Sequence, residues 1–132
     1  MKQAMVSDPR RDLVRLALFT DTEALALVRD RIRTTLPELT EDVRTDVLLV
    51  ATELVTNAFL HGQPPVQFQL LGRLDGTPLR IEVTDHGPAL PQLREPDALA
   101  PNGRGLLLVA ASTSSWGVET GRHSKTVWAE FA

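Results

Sequence analysis

The fold of this chain is decided by residues 43–62, which read VRTDVLLVATELVTNAFLHG. Apolar residues recur there with the period of an amphipathic helix and form one stripe along it: Val43, Val47, Val50, Leu54 and Ala58. At about 100° per residue, Asn57 falls inside this stripe and Glu53 on its flank. A carboxylate and an amide there cost free energy unless a polar partner meets them. The segment predicts a core helix that either carries a polar site, for a hydrated magnesium ion or a nucleotide, or tolerates two polar residues at its edge.

The residues around this helix supply its two ends. Thr40, followed by Glu41 and Asp42, predicts an N-terminal cap with an acidic first turn. Gly62 predicts the C-terminus, and the two prolines at 64–65 prevent the helix from continuing.

A strand and a shorter helix are predicted before it. Residues 13–19 are a short apolar segment typical of a strand. Thr20 and Glu23 have the spacing of a capping box, and Pro37 ends the helical region that follows. The helix would bury one apolar face, formed by Ala24, Leu25, Val28 and Ile32.

The second half of the chain is richer in strands. Apolar and polar residues alternate in residues 66–70 and 79–84, which predicts a hairpin across the Asp-Gly turn signal at 75–76. Residues 86–103 contain four prolines and no periodicity, which is typical of a long functional loop. A buried helix at 106–111 and a closing hairpin complete the order of elements.

That closing hairpin is predicted from residues 116–119 and 125–131. Helices grouped apart from antiparallel strands predict an α+β two-layer sandwich, with helices covering one face of a mostly antiparallel sheet. We expect one domain over residues 13–132, preceded by a flexible N-terminal arm over residues 1–12.

Composition excludes several classes of protein. The net charge of −3 over 132 residues gives no electrostatic footprint for nucleic acid. The absence of cysteine excludes disulfides, thiol catalysis and cysteine metal sites, and the three histidines lack ligand spacing. No apolar run approaches a membrane span and no signal-peptide core begins the chain. A cytoplasmic protein without membrane or direct nucleic-acid binding is expected.

Asp85 is a candidate ligand-binding residue at the exit of the strand over 79–84. It shares the strand parity of Ile81 and Val83, so its carboxylate should face the helix-covered side. An ionised carboxylate there needs donors, and the exocyclic amine of a purine is one candidate. Gly87 would let a flat ring approach the backbone. A strand-end aspartate that caps a turn is the alternative.

Two weaker signals follow. Gly103, Arg104 and Gly105 precede the helix predicted at 106–111. Glycines at a helix N-terminus expose backbone N–H groups that can bind phosphate, and Arg104 could add a charge-assisted contact. Most Gly-x-Gly sequences, however, are simply turns. Thr126 follows Lys125 at the start of the last strand, and its hydroxyl would support Asp85 if it shared the same face. The alternation after Thr126 leaves that face open.

The order of these pieces is more specific than any one of them. A helix with Glu and Asn four apart ends in His-Gly, a strand ends in Asp-x-Gly, and a Pro-rich loop, a Gly-x-Gly helix start and a Lys-Thr strand follow. This order resembles the ATP-binding domain shared by gyrase, histidine kinases, the heat-shock chaperone ATPase and the mismatch-repair ATPase, the GHKL superfamily. The short form, from about Leu13 to Phe131, is similar to the bacterial anti-sigma factor/serine kinase family.

The resemblance implies a Bergerat-type ATP-binding fold with ATP and Mg²⁺ as cofactors. It assigns Glu53 as the general base and Asn57 as the magnesium ligand. The other nucleotide contacts that it implies are Asp85, Gly87 and Thr126 at the adenine, and Gly103, Arg104 and Gly105 at the phosphates. The chemistry implied is in-line phosphoryl transfer, which depends mainly on positioning and charge stabilisation.

The function implied is that of an anti-sigma factor with serine/threonine kinase activity. It would phosphorylate a serine of an antagonist protein and control a sigma factor, with a homodimer as a candidate assembly. Ala89 departs from the family, which usually has a second glycine there, and with Pro88 it would stiffen the hinge of the ATP lid. A non-catalytic protein-binding module is therefore the alternative. A detached histidine-kinase domain is a third reading, disfavoured by the small size and the lack of a dimerisation helix.

Overall fold

The computed structural model describes residues 11–37, 39–72, 79–87 and 109–131. Its elements follow one another as β1 (Arg11–Leu18), α1 (Asp21–Thr35), α2 (Glu41–His61), β2 (Val66–Gly72), β3 (Leu79–Asp85), β4 (Ser115–Thr120) and β5 (Lys125–Phe131). Residues 109–112 are also helical, which overlaps the third helix predicted at 106–111 and extends it by one residue.

The strands form one sheet in the order β1-β2-β3-β5-β4, and every neighbouring pair is antiparallel. Helix α1 packs on β1 and on α2, and α2 crosses β2, β3 and β5. The helices thus cover one face of the sheet, which confirms the predicted α+β two-layer sandwich. Within the described ranges, neither helix combines the length and the hydropathy needed to cross a membrane.

Helix α2 is the centre of the core because its apolar stripe meets the apolar faces of the strands. Four of the five stripe residues are buried, and Val43 is half-buried. Ala51 and Val55 are buried as well. The facing sheet residues pair across β2 and β3, Phe68 with Val83 and Leu70 with Ile81, and all four are buried. The predicted period-2 alternation of these strands is therefore confirmed.

The helix ends test the predicted caps. The Thr40 hydroxyl accepts a hydrogen bond of 3.3 Å from the N–H of Val43, which confirms the cap of α2. At the other end, the N–H of Gly62 donates to Ala58 O at 2.8 Å, as the predicted stop requires. Thr20 is the N-cap residue of α1, but its side chain makes no capping hydrogen bond. The capping box predicted with Glu23 is thus wrong, although the helix begins at the predicted place.

Strand β1 is longer at its start than the sequence predicts. Arg11 and Asp12, which were assigned to the flexible arm, pair with Gly72 and Leu71 of β2. Backbone pairing needs no apolar side chain, so two charged residues can extend the strand where the N–H and C=O groups of β2 are available. Residues 1–10, the turn predicted at 75–76 and most of the loop predicted at 86–103 lie outside the described residues.

Candidate functional site

Glu53 and Asn57 lie one helical turn apart on the flank of α2, and both are half-buried. Side chains four residues apart on a helix have Cβ atoms about 5–6 Å apart, so both polar groups can reach one ligand. Asn57 is less deeply placed than the stripe implied. The buried surface of α2 extends through Ala51 and Val55 instead, which turns Asn57 toward the boundary between core and solvent.

Asp85 is the last residue of β3 and is only 2% exposed. It shares the helix-covered face with Ile81 and Val83, as its strand parity predicted. Its Oδ1 accepts a 2.8 Å hydrogen bond from the N–H of Gly87. The turn-capping alternative is therefore also realised, because the same carboxylate that faces the core holds the chain as it leaves the sheet.

The second oxygen of Asp85 faces a lysine. Lys125, the first residue of β5, pairs with Asp85 in the sheet, and its Nζ lies 3.6 Å from Asp85 Oδ2. The two side chains are 5% and 2% exposed. Taking two charges out of water is costly, and their attraction offsets that cost only while both partners remain. The charge of the buried carboxylate is therefore compensated by the ammonium group of Lys125.

Two glycines let the end of α2 meet the exit of β3. A Cβ added at Gly62 would clash with the carboxyl group of Asp85, and one added at Gly87 would lie 2.6 Å from Gly62 Cα. The N–H of His86 also donates to Gln63 O at 3.3 Å, which ties the two segments together. The close approach is possible because both positions lack a side chain.

Thr126 is not brought to Asp85. It pairs with Thr84 in the sheet, and their hydroxyl oxygens lie 2.7 Å apart. Successive residues of a strand point to opposite faces of the sheet. Lys125 therefore lies on the helix-covered face, and Thr126 lies on the face opposite α1 and α2, called the open face below. The residue beside Asp85 is thus Lys125, and the assignment of Thr126 to the adenine finds no support in this geometry.

Sequence reasoning missed two residues of this site. Gly62 was read only as a helix stop, and Lys125 received no role. Lys125 has the strand parity of Ala129 and Phe131, both of which are buried. That parity was the signal for its face, but a lysine at the start of a strand is usually solvated, so reasoning from the sequence did not place Lys125 in the core.

The phosphate end of the predicted site lies outside the described residues. This holds for Gly103, Arg104 and Gly105, and also for Ala89, so their roles stay predictions. Among the residues that the structure does describe, no three acidic or histidine side chains gather where they could hold a metal ion. A cation at Asn57 would therefore take most of its ligands from water and from a bound phosphate, as magnesium commonly does.

Comparison with known proteins adds an independent finding. Residues 18–131 match the family model described as a histidine kinase-like ATPase domain. The structure is similar to that of the RsbU and RsbW domains of Rv1364c from Mycobacterium tuberculosis, with a TM-score of 0.68 and 20% sequence identity. The match covers 94% of this chain and 32% of that chain, and at this identity the likeness is one of fold. No curated protein matches the sequence.

Proposed function

This chain belongs to the histidine kinase-like ATPase domain family, and we propose that it acts as an ATP-binding regulatory protein of the anti-sigma type. In this proposal it transfers the γ-phosphoryl group of ATP to a serine of an antagonist protein and thereby controls a sigma factor. The family, the fold and the resemblance of the motifs to the anti-sigma kinases support the proposal.

One observation about α2 carries the nucleotide assignment. The helix holds Glu53 and Asn57 half-buried on its flank, and its C-terminal Gly62 lies against the buried Asp85. Gly62 follows Glu53 by nine positions (62 − 53), which is about 13.5 Å along a helix axis. One helix therefore holds the residues proposed for phosphate chemistry at a set distance from the residues proposed to bind the adenine.

The roles of the residues follow from their chemistry. The amide oxygen of Asn57 is a hard ligand of the kind that Mg²⁺ takes alongside water and phosphate oxygens. Glu53, one turn away, would accept the proton of the serine hydroxyl. Asp85 would accept the exocyclic amine of adenine. Bound Mg-ATP supplies the phosphoryl group, and the protein contributes mainly position and charge.

A second candidate function is favoured by the ion pair. The carboxylate that should read the adenine amine already faces the ammonium of Lys125 at 3.6 Å. A protein that binds nucleotide weakly, or not at all, would work as a non-catalytic module that grips a partner. Phosphotransfer to candidate antagonist proteins separates the two, because the module predicts complex formation without phosphoserine.

The nucleotide assignment is tested by titrating Mg-ATP into the wild type and Asn57→Ala by calorimetry. We expect the variant to lose the magnesium-dependent part of the affinity, because alanine keeps the helix but removes the ligand oxygen. Thr45→Ala, at an exposed threonine about three turns before Asn57 on α2, is the control and should match the wild type. An Asn57→Ala variant with unchanged affinity for Mg-ATP would overturn the assignment.

The kinase assignment needs its own variant. Glu53→Gln keeps the size and hydrogen bonding of the side chain but removes the base, so nucleotide binding should persist. Phosphoserine formation on an antagonist protein should fall by roughly 10²–10⁴-fold, the usual contribution of a positioned base. Mass spectrometry of the antagonist measures the rate of phosphoserine formation. Equal rates for the wild type and Glu53→Gln would show that Glu53 is not the general base.

A further inference from the structure

A buried lysine, Lys125, lies at the end of the site where the adenine is proposed to bind. Among the described residues, Asp85 and Lys125 are the two charged side chains that are fully buried, and they face each other. A buried ion pair is weak evidence for stability, since apolar residues of similar size often stabilise a core as well or better. The pair therefore calls for a reason beyond holding the sheet together.

The contacts of the two Asp85 carboxylate oxygens indicate what that reason is. Asp85 Oδ1 already accepts the N–H of Gly87 at 2.8 Å, and the backbone at Gly62 covers the carboxyl group from the side of α2. The remaining oxygen, Oδ2, is the one that the ammonium of Lys125 faces. Oδ2 accepts no backbone hydrogen bond of this kind among the described contacts, so a ligand that donates to Asp85 at this oxygen meets the lysine.

We propose that Lys125 is a specificity-determining residue of the nucleotide site, whose ammonium group occupies the place at Asp85 Oδ2 that the amine of the base must take. ATP then binds by displacing an internal cation, and the affinity for adenine is reduced by the strength of the interaction that is lost. The inference rests on the proposed nucleotide function and adds to it how the base end is controlled.

Two other roles for the lysine predict different behaviour. If Lys125 donated to a ring nitrogen of the base, its removal would weaken ATP binding. If its charge attracted the phosphates, its removal would weaken every polyanionic ligand, whether or not that ligand carried a base. Two comparison ligands distinguish these roles from displacement: one lacks only the exocyclic amine of the base, and the other lacks the whole nucleoside.

The experiment titrates the wild type and Lys125→Thr by calorimetry with three magnesium complexes: ATP, purine riboside triphosphate, which lacks the exocyclic amine, and tripolyphosphate, which lacks the base. Threonine suits a strand and removes the charge. We expect Lys125→Thr to bind ATP about tenfold more tightly, the size of one charge-assisted hydrogen bond, and the other two complexes as the wild type does. Arg122→Gln, which removes a cation from the exposed turn before β5, should leave all three affinities unchanged.

Each alternative result has a meaning. If the wild type binds ATP and Lys125→Thr binds it equally or less tightly, the inference is wrong and the proposed function stands. An equal gain for all three complexes also overturns it, because the effect would not depend on the amine. If neither protein binds any of the three complexes, the nucleotide function itself is wrong.

A second variant keeps the test valid if the first does not fold. Lys125→Gln keeps a neutral hydrogen-bond donor next to the Asp85 carboxylate, so the core stays polar at that place, but it removes the charge that the amine of the base has to displace. This protein should prefer ATP over purine riboside triphosphate by a larger factor than the wild type does. An equal or smaller preference would contradict displacement at Oδ2.

Discussion

The two faces of the sheet treat charge in opposite ways across the same pair of strands. On the helix-covered face, β3 and β5 hold Asp85 and Lys125, both almost fully buried. On the open face, they hold Arg80, whose Nε lies 2.7 Å from Glu82 and whose guanidinium also lies 3.0 Å from Glu130. The side chain of Arg80 is 12% exposed and those of both glutamates are 23% exposed.

On the open face the charged side chains form a network around one arginine, whereas on the covered face a buried carboxylate faces a buried lysine. Arg80 also lies over the ring of Trp128, 4.3 Å from its centroid, and Gly117 leaves room for that ring on β4. Partners around Arg80 are several and water is near, so removing one contact leaves others. Asp85 depends on fewer donors in a drier place. The pairing of the strands thus determines which charged residues are neighbours. Whether the helices cover them determines how much free energy of unfolding is lost when one partner is removed.

The largest effect should follow from isolating the buried carboxylate. Lys125→Met is expected to lower the free energy of unfolding by about 3–5 kcal/mol, because it leaves an uncompensated charge in the core. Chemical denaturation without nucleotide measures this. Adding Asp85→Asn to the same protein should recover most of the loss. A cost below about 1 kcal/mol would mean that the carboxylate is solvated, and the contrast between the two faces would disappear.

A smaller effect is expected from the same substitution on the open face. Arg80→Met should cost about 1–2 kcal/mol, from two partly exposed ion pairs and one cation–π contact. Salt sharpens the comparison, since about 1 M salt screens exposed charges but acts much less on buried ones. The loss caused by Arg80→Met should therefore shrink at high salt, and that of Lys125→Met should persist. Equal salt dependence of the two variants would contradict the difference in solvation.

The smallest effect concerns the hydroxyl pair next to the ion pair. Thr84→Val should cost about 1 kcal/mol by leaving Thr126 without its 2.7 Å partner. Replacing both threonines with valine should come closer to the wild type, because valine suits a strand. Neither protein should change in affinity for Mg-ATP, since both hydroxyls lie on the open face. If Thr126→Val, made alone as a third variant, lost affinity for Mg-ATP, that result would support the adenine role that the resemblance assigned to Thr126.

Local patterns were sufficient for most of the fold. The stripe on α2, its Thr40 cap and its Gly62 stop are properties of neighbouring residues, and the structure confirms all three. The alternation in β2 and β3 fixed which residues face the helices in the same way. The capping box at Thr20 failed because a side-chain hydrogen bond depends on the rotamer as well as on the spacing.

The site was predictable only in part. The sequence placed Asp85 toward the core and Glu53 with Asn57 on one helix, because parity and helical period act over a few residues. The signal for Thr126 was ambiguous, since its strand has apolar residues of both parities. Register decided the matter by pairing Asp85 with Lys125 and Thr84 with Thr126.

The sequence by itself thus determined the two long helices, the order of the described strands along the chain and the faces that α2, β2 and β3 bury, because hydrophobic periodicity is a property of consecutive residues. Only the tertiary structure decided that Gly62 touches Asp85 and that the cation beside this carboxylate is Lys125. These contacts join residues that are 23 and 40 positions apart (85 − 62 and 125 − 85). Sheet register and the packing of α2 bring such residues together, and no local pattern encodes either.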